Sequence, residues 1–357
     1  MISINTELVG LRNRPCPRPR DARQVARIGY NYSVNEVTDF LVIGAGLAGL
    51  AFAREMQAAG ASVQVLDKGR GVGGRAATRR FGAARIDHGA QFFTARDAAF
   101  QAVVDGGLRD GWICEWYRSI PEWREGVIHS RPDGHPRYAC PEGISALPKF
   151  LAQGLTITTE TEVQSISWDD IGYVATAKNG QHFAGTTLIL NVPPVQLRTL
   201  AELLLTPEDS ERIATATLEP CWALLALLET DLAVDWPALE LTDHPVFSWI
   251  ARDHTKRGLG APPTLVAHTA PGWTAAHLED STEAVAAALS SELAALLGPL
   301  AISQTQAHRW RYAKPVTALG QPFFWDTARQ LGACGDWCAG GRIEGAFLSG
   351  HLLAGAC

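Results

Sequence analysis

Gly44, Gly46 and Gly49 stand directly after a short apolar run, Phe40 to Ile43, and ahead of a helical pattern, Leu47 to Ala59. GxGxxG at such a junction admits few architectures, because each glycine answers a different steric demand. The first allows a tight turn, the second leaves backbone bare where a diphosphate would lie, and the third lets helix and strand pack closely. The helix start then offers free N–H groups and partial positive charge to phosphate oxygens. A second strand pattern, Ala61 to Leu66, ends at Asp67, about 20 residues beyond the glycines, where a carboxylate can hold ribose hydroxyls. The acidic residue favours the unphosphorylated ribose of FAD or NAD over that of NADP. Ala45 in the turn and Lys68 after the aspartate belong to the same expected cradle. Taken alone, such a turn also serves as a plain strand–helix corner.

The next segment separates FAD from NAD. Gly73, Gly74, Arg75 and Thr78 form a GGRxxT pattern that resembles the two-dinucleotide-binding-domain flavoproteins, a group that includes monoamine oxidases, phytoene desaturases and protoporphyrinogen oxidases. Residues 331–350, LGACGDWCAGGRIEGAFLSG, are similar to the C-terminal FAD motif of that group. By that resemblance Gly335 and Asp336 meet the ribityl or diphosphate side, while Glu344, Gly345 and Ala346 open a last helix aimed at the pyrimidine edge of the flavin. Cys334 and Cys338 have no redox-pair spacing, and both read as buried thiols.

Three further segments, IDHGAQFFT (86–94), PEGIS (141–145) and RWRYAKPV (309–316), narrow the resemblance to the renalase family and its bacterial relatives. It implies non-covalent FAD, with Gln91 at a flavin ring edge and the backbone of Val163 at the adenine. Phe92 or Phe93, with Trp310 and Tyr312, are the implied pocket walls. His88 is tempting as a base, but a histidine fixing a turn is at least as good a reading, since hydride transfer needs no strong base. Lys314 reads as a surface lysine. The implied activity is oxidation of 2- or 6-dihydro isomers of NAD(P) to NAD(P)+, with O2 reduced to H2O2. An amine oxidase or desaturase-like enzyme shares the FAD motifs, and a non-catalytic flavin-binding regulator would carry them too.

The expected fold is α/β: a Rossmann-like FAD-binding domain with a discontinuous α+β substrate domain. Residues 38–95, 140–195 and 305–357 are assigned to the first, 96–139 and 196–304 to the second, and 1–37 to a flexible or over-extended N-terminal segment with six arginines. In the substrate lobe Ala223–Leu228, Val246–Ile250 and Thr264–Thr269 read as strands, and Ser281–Leu297 as a helix. A net charge of −6 gives no basic footprint for nucleic acid. No apolar run reaches the roughly 20 residues of a spanning helix, so no membrane partner is expected. Seven scattered cysteines without CxxC spacing suggest reduced thiols in the cytoplasm and no metal site. Catalysis is assigned to the flavin, with no certain catalytic side chain, in a monomer or homodimer.

Overall fold

The computed structural model describes residues 36–130 and 132–357, so the expected N-terminal extension lies, but for its last two residues, outside the described residues. Strand β1 (Val37–Ile43) is followed by helix α1 (Leu47–Ala58) and strand β2 (Val63–Leu66). β1 is parallel to β2 on one side and to the strand His182–Leu190 on the other, inside an eight-stranded sheet. Phe40 to Ile43 are all buried, which is why this strand reads as an unbroken apolar run: helices cover both faces. Phe40 and Val42 face a core shared with α1 and the last helix, Ile343–Ala356. Leu41 and Ile43 face a second core containing Leu197, Ile213 and Trp337.

A second, seven-stranded sheet runs through Ile302–Thr317, Thr217–Leu228, Thr264–Thr269, Phe247–Arg252 and Ala238–Leu241 to the edge hairpin 122–129. One face carries Trp222, Leu224, Ile250, Leu265 and Ala267 against Val285, Leu289 and Leu293 of the helix Thr282–Leu297. Ser281 caps that helix, its hydroxyl accepting from the Ala284 N–H at 3.2 Å. The other face turns toward the hairpin Thr78–Phe81/Ala84–Asp87, where Phe81, Ala84 and Ile86 pack on Ala223, Leu225 and Val266.

Three boundaries differ from the expected partition. Helix Ala98–Arg109, assigned to the substrate domain, buries Phe100 and Val104 in the dinucleotide-domain core, with the Phe100 ring 5.1 Å from Phe347. Helices Pro194–Leu200 and Pro207–Ala214 likewise place Leu197 and Ile213 against the first sheet. Conversely, the chain does not return to the dinucleotide domain at 305, because Ile302–Thr317 pairs with Thr217–Leu228 along its length. The return comes with Phe324–Asp326 and Leu331–Ala333. Apolar periodicity marks a buried face; it does not say which neighbour buries it.

Candidate functional site

The glycine turn is built as its spacing demands. Gly44 has φ +104°, and a Cβ there would run into the Asn191 carbonyl oxygen just beyond the neighbouring strand. A Cβ on Gly46 would lie 2.8 Å from Asn191 Nδ2, a side-chain end that can shift, so the demand for glycine here comes chiefly from room for a phosphate. Gly49 is held closer still, against the Gly44 carbonyl oxygen. No side chain caps α1, and its first residues are buried. Uncapped N–H groups in a buried helix start fit a phosphate. Asp67 at the tip of β2 accepts from the Ala45 N–H (2.7 Å) and the Gly69 N–H (2.6 Å), one on each oxygen. An ionised carboxylate has further lone-pair sites, so ribose hydroxyls can be added to these bonds. Val163 starts a strand on the same side, two residues after Thr161, whose N–H donates to the Asp67 carbonyl at 2.8 Å.

The separated motifs converge here. The Gly73 N–H donates to the Ala45 carbonyl at 2.7 Å, and a Cβ on Gly74 would stand 3.9 Å from Gly46 Cα. Two bare backbones thus run side by side. Arg75 pairs with Asp336, Nη2 to Oδ1 at 2.6 Å, and donates to the Ala313 carbonyl at 3.0 Å. The Gly335 N–H is anchored on Ser349 Oγ at 2.9 Å. Gly350, in the middle of the last helix, meets the Ala48 carbonyl so closely that a Cβ has no room, which seats the uncapped start of α1 against that helix.

Elsewhere the structure gives the named residues other partners. Gln91 was expected at a flavin edge, but its amide Nε2 donates to the Asp87 carbonyl (2.6 Å) and its Oε1 accepts from Lys256 Nζ (3.2 Å). Glu344 was expected at the cofactor; its Oε1 accepts from the N–H groups of Arg96 (2.6 Å) and Asp97 (2.8 Å) at the start of helix Ala98–Arg109. Ala346 lies in the first turns of the last helix, half-buried, and Lys68 is exposed. Phe93 is core, its ring 5.9 Å from Phe100, whereas Phe92 faces Trp249 at 5.6 Å and Trp116 at 6.5 Å. Trp310 lies under His88, with ring centroids 5.3 Å apart and its Nε1 donating to the His88 carbonyl at 2.8 Å. Tyr312 is half-buried on the same strand, and Lys314 is exposed, 3.9 Å from Glu219. Cys334 and Cys338 are fully buried free thiols.

Sequence reasoning missed a buried four-charge cluster beside Gln91. Lys256 Nζ lies 2.7 Å from Asp253 and 3.4 Å from Asp87, with none of the three side chains exposed. Arg257 reaches both carboxylates, at 2.6 Å and 3.0 Å. Asp87 also accepts from Thr78 Oγ1 and the Ile144 N–H. Burial works against its charge, but Lys256 and Arg257 outweigh it and hold the carboxyl below its ordinary range. Burial, reinforced by the Asp87 charge, pushes Asp253 up despite the same two cations. The only signal was the i, i+3, i+4 spacing of Asp253, Lys256 and Arg257, which reads equally well as a solvated face.

Residues 42–105 match the NAD(P)-binding Rossmann-like domain pattern, and residues 125–357, more than half the chain, match that of flavin containing amine oxidoreductases. Among solved structures, the chain is similar to a protein assigned as a protoporphyrinogen oxidase from Exiguobacterium sp. 255-15, at 13% identity and TM-score 0.73, over 89% of this chain and 98% of that one. It is similar to cyclohexylamine oxidase from Brevibacterium oxydans IH-35A at 14% identity and TM-score 0.71, over 90% and 98%. Putrescine oxidase bound to putrescine aligns at 16% identity and TM-score 0.65, over 89% and 98%. At such identities these likenesses speak to the fold.

Proposed function

The chain belongs to the flavin-containing amine oxidoreductase family and is an FAD-dependent oxidoreductase, and from that premise we propose that it is an oxidase of renalase type acting on 2- or 6-dihydro isomers of NAD(P). FAD bound here would supply two-electron redox chemistry, by which a hydride from the donor carbon and one proton from solvent reduce O2 to H2O2 and leave NAD(P)+. The chain's own residues bind, orient and exclude water. Asp67 and the first turn of α1 hold the dinucleotide end, and the Arg75–Asp336 pair joins the two cofactor motifs.

The observation that supports this reading is aromatic packing around the motif segments: Phe92 against Trp116 and Trp249, and Trp310 under His88. Flat rings of this kind suit a planar dihydropyridine, which must lie parallel to a flavin for hydride transfer. A second reading, an amine oxidase, is favoured by the family and by the likeness to two amine-oxidising enzymes. Under either reading the enzyme works on a small molecule and O2, as a monomer or homodimer, in the reducing cytoplasm that its free thiols suit. Among the described residues no helix is long and apolar enough to cross a membrane.

The test is anaerobic mixing of the yellow holoenzyme with 2- and 6-dihydroNAD(P), 4-NAD(P)H and simple amines. Rapid bleaching by the 2- or 6-dihydro isomers is expected. Bleaching by an amine alone would overturn the renalase-type reading, and bleaching by no donor would point to a flavin-binding regulator.

A further inference from the structure

The strand His182–Leu190 runs out beside β1, and the residues at its end touch both cofactor motifs. The Leu190 carbonyl accepts from the Cys334 N–H at 3.2 Å, and the Val192 carbonyl accepts from Trp337 Nε1 at 3.1 Å, so the C-terminal motif is tied down on either side of Asn191. The Asn191 N–H itself donates at 2.8 Å to the carbonyl of Ile43, the residue before the glycine turn. Pro193 and Pro194 follow, and their fixed φ holds the chain on this course. Asn191 therefore stands where residues 44–49 and 334–337 meet.

Its side chain is aimed into the turn. Nδ2 donates to the Gly44 carbonyl at 3.1 Å, across 147 residues of chain. A carbonyl can only accept, which fixes the amide nitrogen and not the oxygen on that side. The same nitrogen is the atom that a Cβ on Gly46 would meet at 2.8 Å and a Cβ on Gly49 at 2.7 Å. Gly46 is the glycine whose missing side chain leaves room for a diphosphate, so the direction in which it is bare leads to this amide. The space alongside is open: a Cβ on Gly74 would find nothing nearer than Gly46 Cα at 3.9 Å.

A primary amide carries two N–H donors and one acceptor oxygen. Gly44 takes one N–H; among the described residues nothing bonds the other, and Asn191 is only half-buried. An amide pinned through one N–H presents the second in a set direction. The acceptor suited to that place is an anion, because the uncapped start of α1 and the bare backbone of Gly46 border the same space. The carboxylates of the cradle are engaged elsewhere, Asp67 on the Ala45 and Gly69 N–H groups and Asp336 on Arg75.

We infer that Asn191 is a cofactor-binding residue: it clamps the glycine turn through the Gly44 carbonyl and gives its second N–H to the diphosphate of FAD. This concerns the cofactor alone and stands apart from the choice of electron donor.

Apoprotein is titrated with FAD, and ADP and adenosine are measured by competition against it. Asn191→Ala should weaken FAD and ADP by about 10-fold, the loss of one hydrogen bond to a charged group. Asn191→Asp keeps the shape but turns the donor into an anion, and should weaken both by on the order of 100-fold. Adenosine has no phosphate and should bind every variant within about twofold of the parent protein, which also shows that the ribose end at Asp67 is intact. Adenosine lost in step with ADP would make Asn191 a packing residue and overturn the inference. So would FAD and ADP affinities unchanged in both variants, or an Asn191→Asp protein that binds them no worse than Asn191→Ala, since the amide would then not meet the phosphates. Should Asn191→Asp fail to fold, the comparison of ADP with adenosine in Asn191→Ala decides by the same criterion.

Discussion

The glycine end of the molecule and the inner face of the second sheet are built on opposite principles. At the glycine end, backbone touches backbone: Gly73 on Ala45, Gly74 beside Gly46, Gly350 against Ala48. Residue type there is dictated by lack of room, and a φ of +104° at Gly44 leaves glycine as the natural choice. On the inner face, side chains from four strands and a loop meet because of register, with Trp249, His268 and His308 spread over 60 residues of chain. A backbone site tolerates little substitution and binds what every relative binds. A row assembled by cross-strand register makes no such demand on residue type, so its chemistry can vary while the fold stays.

The sharpest way to break this contrast is at the buried charges that join the two regions. Lys256→Met leaves the buried Asp87 and Asp253 with Arg257 as their one remaining cation. Breaking such a pair costs about 3–5 kcal/mol, to be read from the urea midpoint at constant m-value. Adding Asp253→Asn should restore a part of it. A loss below about 1 kcal/mol in the single variant would mean that the cluster does not lock the hairpin to the second sheet.

A smaller effect is expected at the cofactor end. Asp67→Ala removes the acceptor of two backbone N–H bonds and the ribose partner. FAD affinity should fall on the order of 10- to 100-fold, the range of one charged hydrogen bond, measured by titrating apoprotein. Gly46→Val should also lower flavin retention on purification, by crowding both Asn191 and the diphosphate. Normal occupancy in both variants would move the cofactor away from this turn.

The inner face makes its own prediction through pH. His88 and His268 have native values lowered by burial from 6.5 to about 3 and about 4. Between those limits the unfolded chain binds protons that the native state refuses, so stability falls as pH falls through 6.5. Each ring contributes a slope of about 1.4 kcal/mol per pH unit. The more exposed His308, also lowered by burial to about 4, adds less. Asp87, held below 3.8, enters only at lower pH, whereas Asp253, raised above 3.8, gains its proton first in the native state and opposes the histidine slope, so the measurement is made in the Asp253→Asn background. A denaturation midpoint that stays flat from pH 6.5 to 4.5 would mean that these imidazoles are not buried neutral.

How much of this was legible in the sequence follows the same contrast. The glycines could be read because tight backbone forces that type at fixed spacings, whereas Asp67, Arg75 and Asp336 were named by motif, and the structure adds that Arg75 and Asp336 pair with each other. Gln91 and Glu344 were expected at the flavin, but their hydrogen bonds go to Lys256 and to Arg96 and Asp97, partners set by packing over up to 248 residues. The row across the second sheet was invisible, because cross-strand register depends on bulges that no spacing records, such as the one between Glu219 and Cys221. Domain boundaries slipped for a related reason: the helix Ala98–Arg109 has an apolar face that either core could have buried.

Lys314 gives the smallest expected effect and the finest test of the contrast. Lys314 sits in the RWRYAKPV segment, where a short motif invites a catalytic reading, yet its side chain is 74% exposed and its nearest acid, Glu219, is 3.9 Å away. An exposed pair at that distance is worth about 0–1 kcal/mol. Lys314→Ala should therefore shift the urea midpoint and the turnover of any confirmed donor by less than twofold equivalent, while flavin content stays unchanged. A large loss of turnover with intact flavin would place the working lysine on the long strand and not in the buried cluster. The row would then extend along Ile302–Thr317 past Trp310, and the division between a backbone-built cofactor end and a cross-strand row would have to be redrawn around that strand.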